Sequence, residues 1–118
     1  MPTSSGTINT MVREISVQDL ASRRAAAEPL LLLDVRQPEE HEIAALPGSL
    51  LVPLQDLPRR WAEIQAPPGA EIVVYCHHGV RSRTAARFLM QCGVGPVVSL
   101  AGGIDAWSRF IDPNMPRY

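Results

Sequence analysis

Cys76 is followed by His77, His78, Gly79, Val80, Arg81 and Ser82, which gathers a thiol, two imidazoles, a guanidinium and a hydroxyl around one glycine. These residue types suit nucleophilic chemistry at sulfur. A tight loop turns several backbone N–H groups inward, and the first turn of a following helix adds unpaired donors and the positive end of its dipole. Such a field is expected to lower the thiol pKa and to make Cys76 a thiolate near neutral pH. The competing reading is a core cysteine at a strand end. Packing, however, requires neither a glycine three residues on nor His77, His78 and Arg81 nearby, so the thiol is read as reactive.

A strand must deliver Cys76 and a helix must receive the loop. Residues 72–75 are an unbroken apolar run, and Ala85, Phe88, Leu89 and Cys92 recur at helical spacing behind the loop. A strand apolar on both faces belongs to a parallel sheet covered by helices, whose sites sit at the carboxyl ends of the strands. Residues 30–33 form a second such run and present Asp34 and Arg36 at the same end. Residues 12–15, 50–52 and 97–100 read as further strands.

Ser16, with Asp19 three residues on, opens a helix to about residue 27; Pro38 suits the first position of a single turn over residues 37–42. A helix is expected from residue 54 or 56 to 65 with Leu57, Trp61 and Ile64 on one face. The helix after the loop stops at Gly93, and Gly102-Gly103 leads into a last one containing Trp107. Strands alternating with helices predict an α/β fold, with a central mostly parallel sheet flanked by helices on both faces. Residues 1–11 are expected to be a flexible arm and residues 12–118 one domain.

The chain has 118 residues, a formal charge of −1, and arginine at all eleven basic positions. That balance gives no reason to expect nucleic acid or a membrane as partner. Cys76 and Cys92 are the only cysteines and have no ligand-like spacing, so neither a metal, a cofactor nor a disulfide is implied. With no membrane-length apolar run and no leader-like start, the expected location is cytoplasmic.

The segment from Glu71 to Ala85 resembles the active-site loop of the rhodanese (sulfurtransferase) family. Leu32-Leu33-Asp34-Val35-Arg36-Gln37-Pro38-Glu39-Glu40, Leu46-Pro47-Gly48-Ser49 and Leu100-Ala101-Gly102-Gly103-Ile104-Asp105-Ala106-Trp107 resemble further motifs in the family's order. The end of the chain, through Pro116-Arg117-Tyr118, is similar to rhodanese domains that close certain ubiquitin-activating-like adenylyltransferases. The resemblance implies a single rhodanese-like domain that moves a sulfane sulfur through a persulfide on Cys76. Related phosphatases and arsenate reductases use a loop one position longer, in which an arginine would stand where this chain has Ser82.

The donor implied is thiosulfate or a persulfidated protein, and the partners a sulfur-carrier protein or a cysteine desulfurase. A protein-binding or sulfur-relay module with little small-donor activity is the alternative. Residues 77–82 form the implied substrate site. His77 and His78 stand where thiosulfate-using members often carry arginine or lysine, and are read as partly protonated donors at the mouth. Arg81 either lines the cradle or bonds nearby carbonyls. Asp34 is read as a structural acceptor and Arg36 as an ion-pair partner of Glu39 or Glu40, both supporting the site. His41 is expected on the surface among acidic residues, and Cys92, Trp61 and Trp107 in the core.

Overall fold

The computed structural model describes residues 11–118; residues 1–10, most of the expected arm, lie outside them. Five strands, β1 (Glu14–Ile15), β2 (Leu30–Asp34), β3 (Leu50–Leu51), β4 (Glu71–Tyr75) and β5 (Val97–Leu100), form one sheet in the order β1-β5-β4-β2-β3. Every pairing is parallel. The register aligns Leu30 with Glu71 and Asp34 with Tyr75, so β2 and β4 end together and release Arg36 and Cys76 at one edge.

The helices are α1 (Val17–Ala25), α2 (Pro38–Ile43), α3 (Leu57–Arg60), α4 (Val80–Gln91) and α5 (Gly103–Phe110). Alternation along β4 divides the core between them. Val73 and Tyr75 pack with Val17 and Leu20 of α1 and Ile104 and Trp107 of α5. Ile72, Val74 and Cys76 face the other way, onto Leu57 of α3 and Ala85, Ala86 and Leu89 of α4. The sheet is therefore covered on both faces, as the double-sided apolar runs require.

Ser16 caps α1 by accepting from the Asp19 N–H at 3.0 Å, as its spacing indicated. The helix expected near residues 54–65 is instead a 3₁₀ turn at Leu54–Asp56, the single α-turn of α3 and a second 3₁₀ turn at Trp61–Glu63. Pro58 accounts for the first of these breaks. It donates no N–H, and its ring would collide with the carbonyl of Leu54 in a continuous helix. Leu57, Trp61 and Ile64 nevertheless all reach the α4-side core. Among the described residues, no helix is long and apolar enough to cross a membrane.

Candidate active site

Cys76 follows β4 directly, at the carboxyl end of the strand lying between β5 and β2, and is 1% exposed. Gly79 turns the chain with φ of 110°, a left-handed conformation that a side chain would strain, and serves as N-cap of α4. The Gly79 N–H lies 3.1 Å from Cys76 Sγ and the Ser82 N–H 3.3 Å from it. Both donors belong to the opening turn of α4, so its dipole points at the sulfur. This geometry suits an anionic sulfur.

Ser82 is fully buried and does more than supply its N–H. Its hydroxyl donates to the Gly79 carbonyl at 3.1 Å and lies 2.7 Å from Ser99 Oγ on β5, which ties the loop to the sheet. From the other side, α5 fastens the loop through its first N–H groups. Ile104 donates to the Cys76 carbonyl at 2.9 Å and Asp105 to the His77 carbonyl at 3.0 Å. With its carbonyls drawn back to α5, the loop is left with N–H groups turned toward the sulfur.

This contact explains Gly103, which sequence reasoning read only as a turn. Its φ is +60°, and a Cβ there would stand 2.5 Å from the Cys76 carbonyl oxygen. The Gly102-Gly103 pair before a helix was the available signal.

Asp34 and Arg36 are both fully buried. The Asp34 carboxylate accepts from the Arg36 backbone N–H at 2.9 Å, from Nε at 2.9 Å and from Nη2 at 2.7 Å. Arg36 was expected to pair with Glu39 or Glu40; the structure corrects this. Residues two apart leave the end of a strand on the same side, so Asp34 meets the planar guanidinium fork at once. The remaining donors reach the Ala44 carbonyl at 2.6 Å and Tyr118 Oη at 2.6 Å.

His41 likewise departs from expectation. Its Nδ1 lies 2.8 Å from Asp34 Oδ2, making it part of this network rather than a surface histidine among acids.

Arg81 neither lines the cradle nor bonds a carbonyl. It leaves the loop and grips Glu40 of α2 through two bonds of 2.7 and 2.9 Å. Arg81 is the main reason that the Glu40 carboxyl is held down at about 2 rather than 4.5, with the Gln37 N–H and Tyr118 hydroxyl helping. A carboxyl with a depressed folded-state pKa stabilises the fold above its unfolded value and loses that contribution as pH falls toward the folded one. Thermal melts of wild type are therefore expected to lose stability between pH 4.5 and about 2. Glu40→Gln should flatten that part of the profile; equal slopes would rule the assignment out.

His77 was read as a partly protonated donor, and the structure moves it the other way. Its ring is stacked between His78, at 4.0 Å between centroids, and Tyr118, at 3.9 Å. Burial, with His78 second, pushes its pKa below 6.5, so the imidazole is mainly neutral at neutral pH. His78 is exposed, with Nε2 3.9 Å from Asp105 Oδ2. Val80 is exposed at the rim of the loop.

Cys92 is partly buried at the C-cap of α4, the end opposite Cys76. A helix of 12 residues, about 18 Å long, separates the two thiols. Trp107 is buried and Trp61 packs against the core from its edge.

The cysteines suggest no metal site, but among the described residues the fold brings together one potential ligand set. His77, His78 and Asp105 present ligand atoms within 4.8 Å of one another. Bonds of about 2 Å to a tetrahedral metal need a closer approach. Asp105 already accepts from Arg117 Nε at 3.1 Å, and the two imidazoles are stacked on each other.

Comparison with known proteins agrees with the architecture. A family profile described as a rhodanese-like domain matches residues 16–110. A sulfurtransferase from Allochromatium vinosum is 42% identical over 99 residues, covering 84% of this chain and 91% of that protein. An adenylyltransferase and sulfurtransferase from Aedes aegypti is 38% identical over 112 residues, covering 88% of this chain but only 26% of the longer protein. Among solved structures, a rhodanese-related protein from Thermoplasma volcanium superposes with a TM-score of 0.73 at 31% identity, covering 88% of this chain and 95% of that one.

Proposed function

The chain belongs to the rhodanese-like domain family, and from that premise we propose that it is a sulfurtransferase whose Cys76 carries the sulfur as a persulfide. The observation that carries the reading is the pair of backbone donors, Gly79 N–H and Ser82 N–H, directed at one nearly buried sulfur at the N-terminus of α4. The Cys76 thiolate attacks the sulfane sulfur of a donor. The donor's sulfur–sulfur bond breaks, and its electron pair leaves with sulfite, for thiosulfate, or with a thiolate, for an organic persulfide. The new Cys76–S–S⁻ then gives up its outer sulfur to an acceptor thiolate, which regenerates the enzyme. No external oxidant or general base is needed, because the attacking sulfur in each step, first that of Cys76 and then that of the acceptor, is a thiolate and each broken sulfur–sulfur bond leaves its pair on the departing group.

The surroundings favour a persulfide donor, protein-borne or small, over thiosulfate. Arg36, Arg81 and Arg117 each hold a carboxylate, on Asp34, Glu40 and Asp105. His77 is mainly neutral, so the usual means of attracting a dianion is muted. Phosphate-ester hydrolysis or arsenate reduction is disfavoured by the same geometry, since Ser82 stands where the arginine would be and Arg81 is turned away to Glu40. The test is intact-mass measurement after brief exposure to thiosulfate or to a persulfidated cysteine desulfurase, with and without a reductant. A reductant-sensitive gain of one sulfur supports the proposal. Absence of a gain from both donors defeats it.

A further inference from the structure

The last two residues described strap the segment after α5 across the loop. Arg117 pairs with Asp105 through Nη2 at 3.1 Å. Tyr118 lies almost parallel to the His77 ring, at 7° and 3.9 Å. Its hydroxyl accepts from Arg36 Nη1 at 2.6 Å and donates to Glu40 Oε2 at 2.9 Å. Glu40 is the carboxylate that holds Arg81, so one side chain joins the residue after the nucleophile to the two buried or half-buried arginines beside it. The Nε2 of His77 is buried with no hydrogen-bond partner; ring stacking, not a bond at that nitrogen, supports it there.

We propose that Tyr118 is a specificity-determining residue: by stacking on His77 while anchored to Arg36 and Glu40, it holds that imidazole beside the Cys76 loop as an uncharged wall, disfavouring a hydrated dianionic donor relative to an organic persulfide. This rests on the sulfurtransferase reading above. A bare hydrogen-bond role would make the hydroxyl matter most. A wall makes the ring matter most, and the two separate experimentally.

Removal of the ring exposes His77 to water and relieves the desolvation that opposes its protonation. Of the charged and titratable groups around it, His78 and Arg81 oppose protonation while Asp105 and Glu40 favour it. Tyr118→Ala should therefore gain a positive charge next to Cys76 as pH falls through the ordinary histidine range, and a dianion is attracted by it.

The experiment is single-turnover loading of Cys76, read by mass, with thiosulfate and cysteamine persulfide, whose ammonium offsets its persulfide charge, as probes at pH about 6 and about 8.5. At the lower pH, Tyr118→Ala is expected to shift the preference toward thiosulfate by about fivefold or more, through a lower half-saturation concentration rather than a faster limiting rate. The shift should shrink at the higher pH, and Tyr118→Phe, which keeps the ring, should recover at least half of it. Independently of sulfur transfer, NMR should show the His77 midpoint rising in Tyr118→Ala. An unchanged preference and an unchanged midpoint in a folded Tyr118→Ala overturn the proposal. Failure of wild type to load from any donor overturns the sulfurtransferase reading instead, while the His77 midpoint still reports what Tyr118 does.

Discussion

Cys76→Ser is expected to abolish sulfur uptake, lowering single-turnover loading by about a thousandfold or more. Wild type treated with a sulfane donor should gain about 32 Da, one sulfur atom, removed by reductant. The variant should gain nothing. Serine fits the same space, so Gly79 N–H and Ser82 N–H still have an oxygen to face. The loss is chemical. A hydroxyl is not ionised near neutral pH and is a poor nucleophile toward sulfur, whereas a thiol readily supplies its anion. Cys92→Ser is the matched control. Cys92 lies at the far end of α4, partly buried and apart from the loop, and its replacement should leave loading intact. Uptake retained by Cys76→Ser, or lost in Cys92→Ser, would remove Cys76 from the role assigned to it.

The largest effect on stability is expected from Asp34→Ala. Arg36 is completely buried, and Asp34 accepts from three of its N–H groups. Truncating the carboxylate leaves a guanidinium out of water without its counter-charge, which costs about 3–5 kcal/mol. For a domain of this size the melting temperature should fall by roughly 10 °C or more.

That cost arises from breaking the pair and does not measure the worth of having it. A double variant, Asp34→Leu with Arg36→Met, removes both charges and should recover much of the loss. If Asp34→Ala melts within a few degrees of wild type, the pair is not the brace inferred from its geometry. If the double variant is worse than the single one, the hydrogen bonds of Arg36 to Ala44 and Tyr118 dominate instead.

Most of the sheet could be read from local pattern. The apolar runs at residues 30–33 and 72–75 became β2 and β4, each buried on both sides, and the division of helices between the two faces followed. The segment around residues 54–65 keeps the apolar face that its pattern predicts, but Pro58 prevents one continuous helix from residue 54. Side-chain partners fared less well. Arg36 passed over the acidic residues after it for Asp34, two residues back, and Arg81 reached Glu40, a partner 41 positions away.

What the sequence by itself determined is the setting of Cys76: an apolar strand leading into it, a short loop turning at Gly79, and a helix beginning at Val80. Those are signals of neighbours, carried by hydrophobic period and by the one residue type that tolerates positive φ. Tertiary structure alone decided what surrounds the sulfur. The α5 N–H groups on the loop carbonyls, Ser99 beneath Ser82, and Tyr118 on Arg36 from 82 positions away depend on parallel register and on chain segments meeting in space. Backbone preference acts over a few residues, whereas a hydrogen bond or a stacked ring forms with whatever group the fold brings within reach.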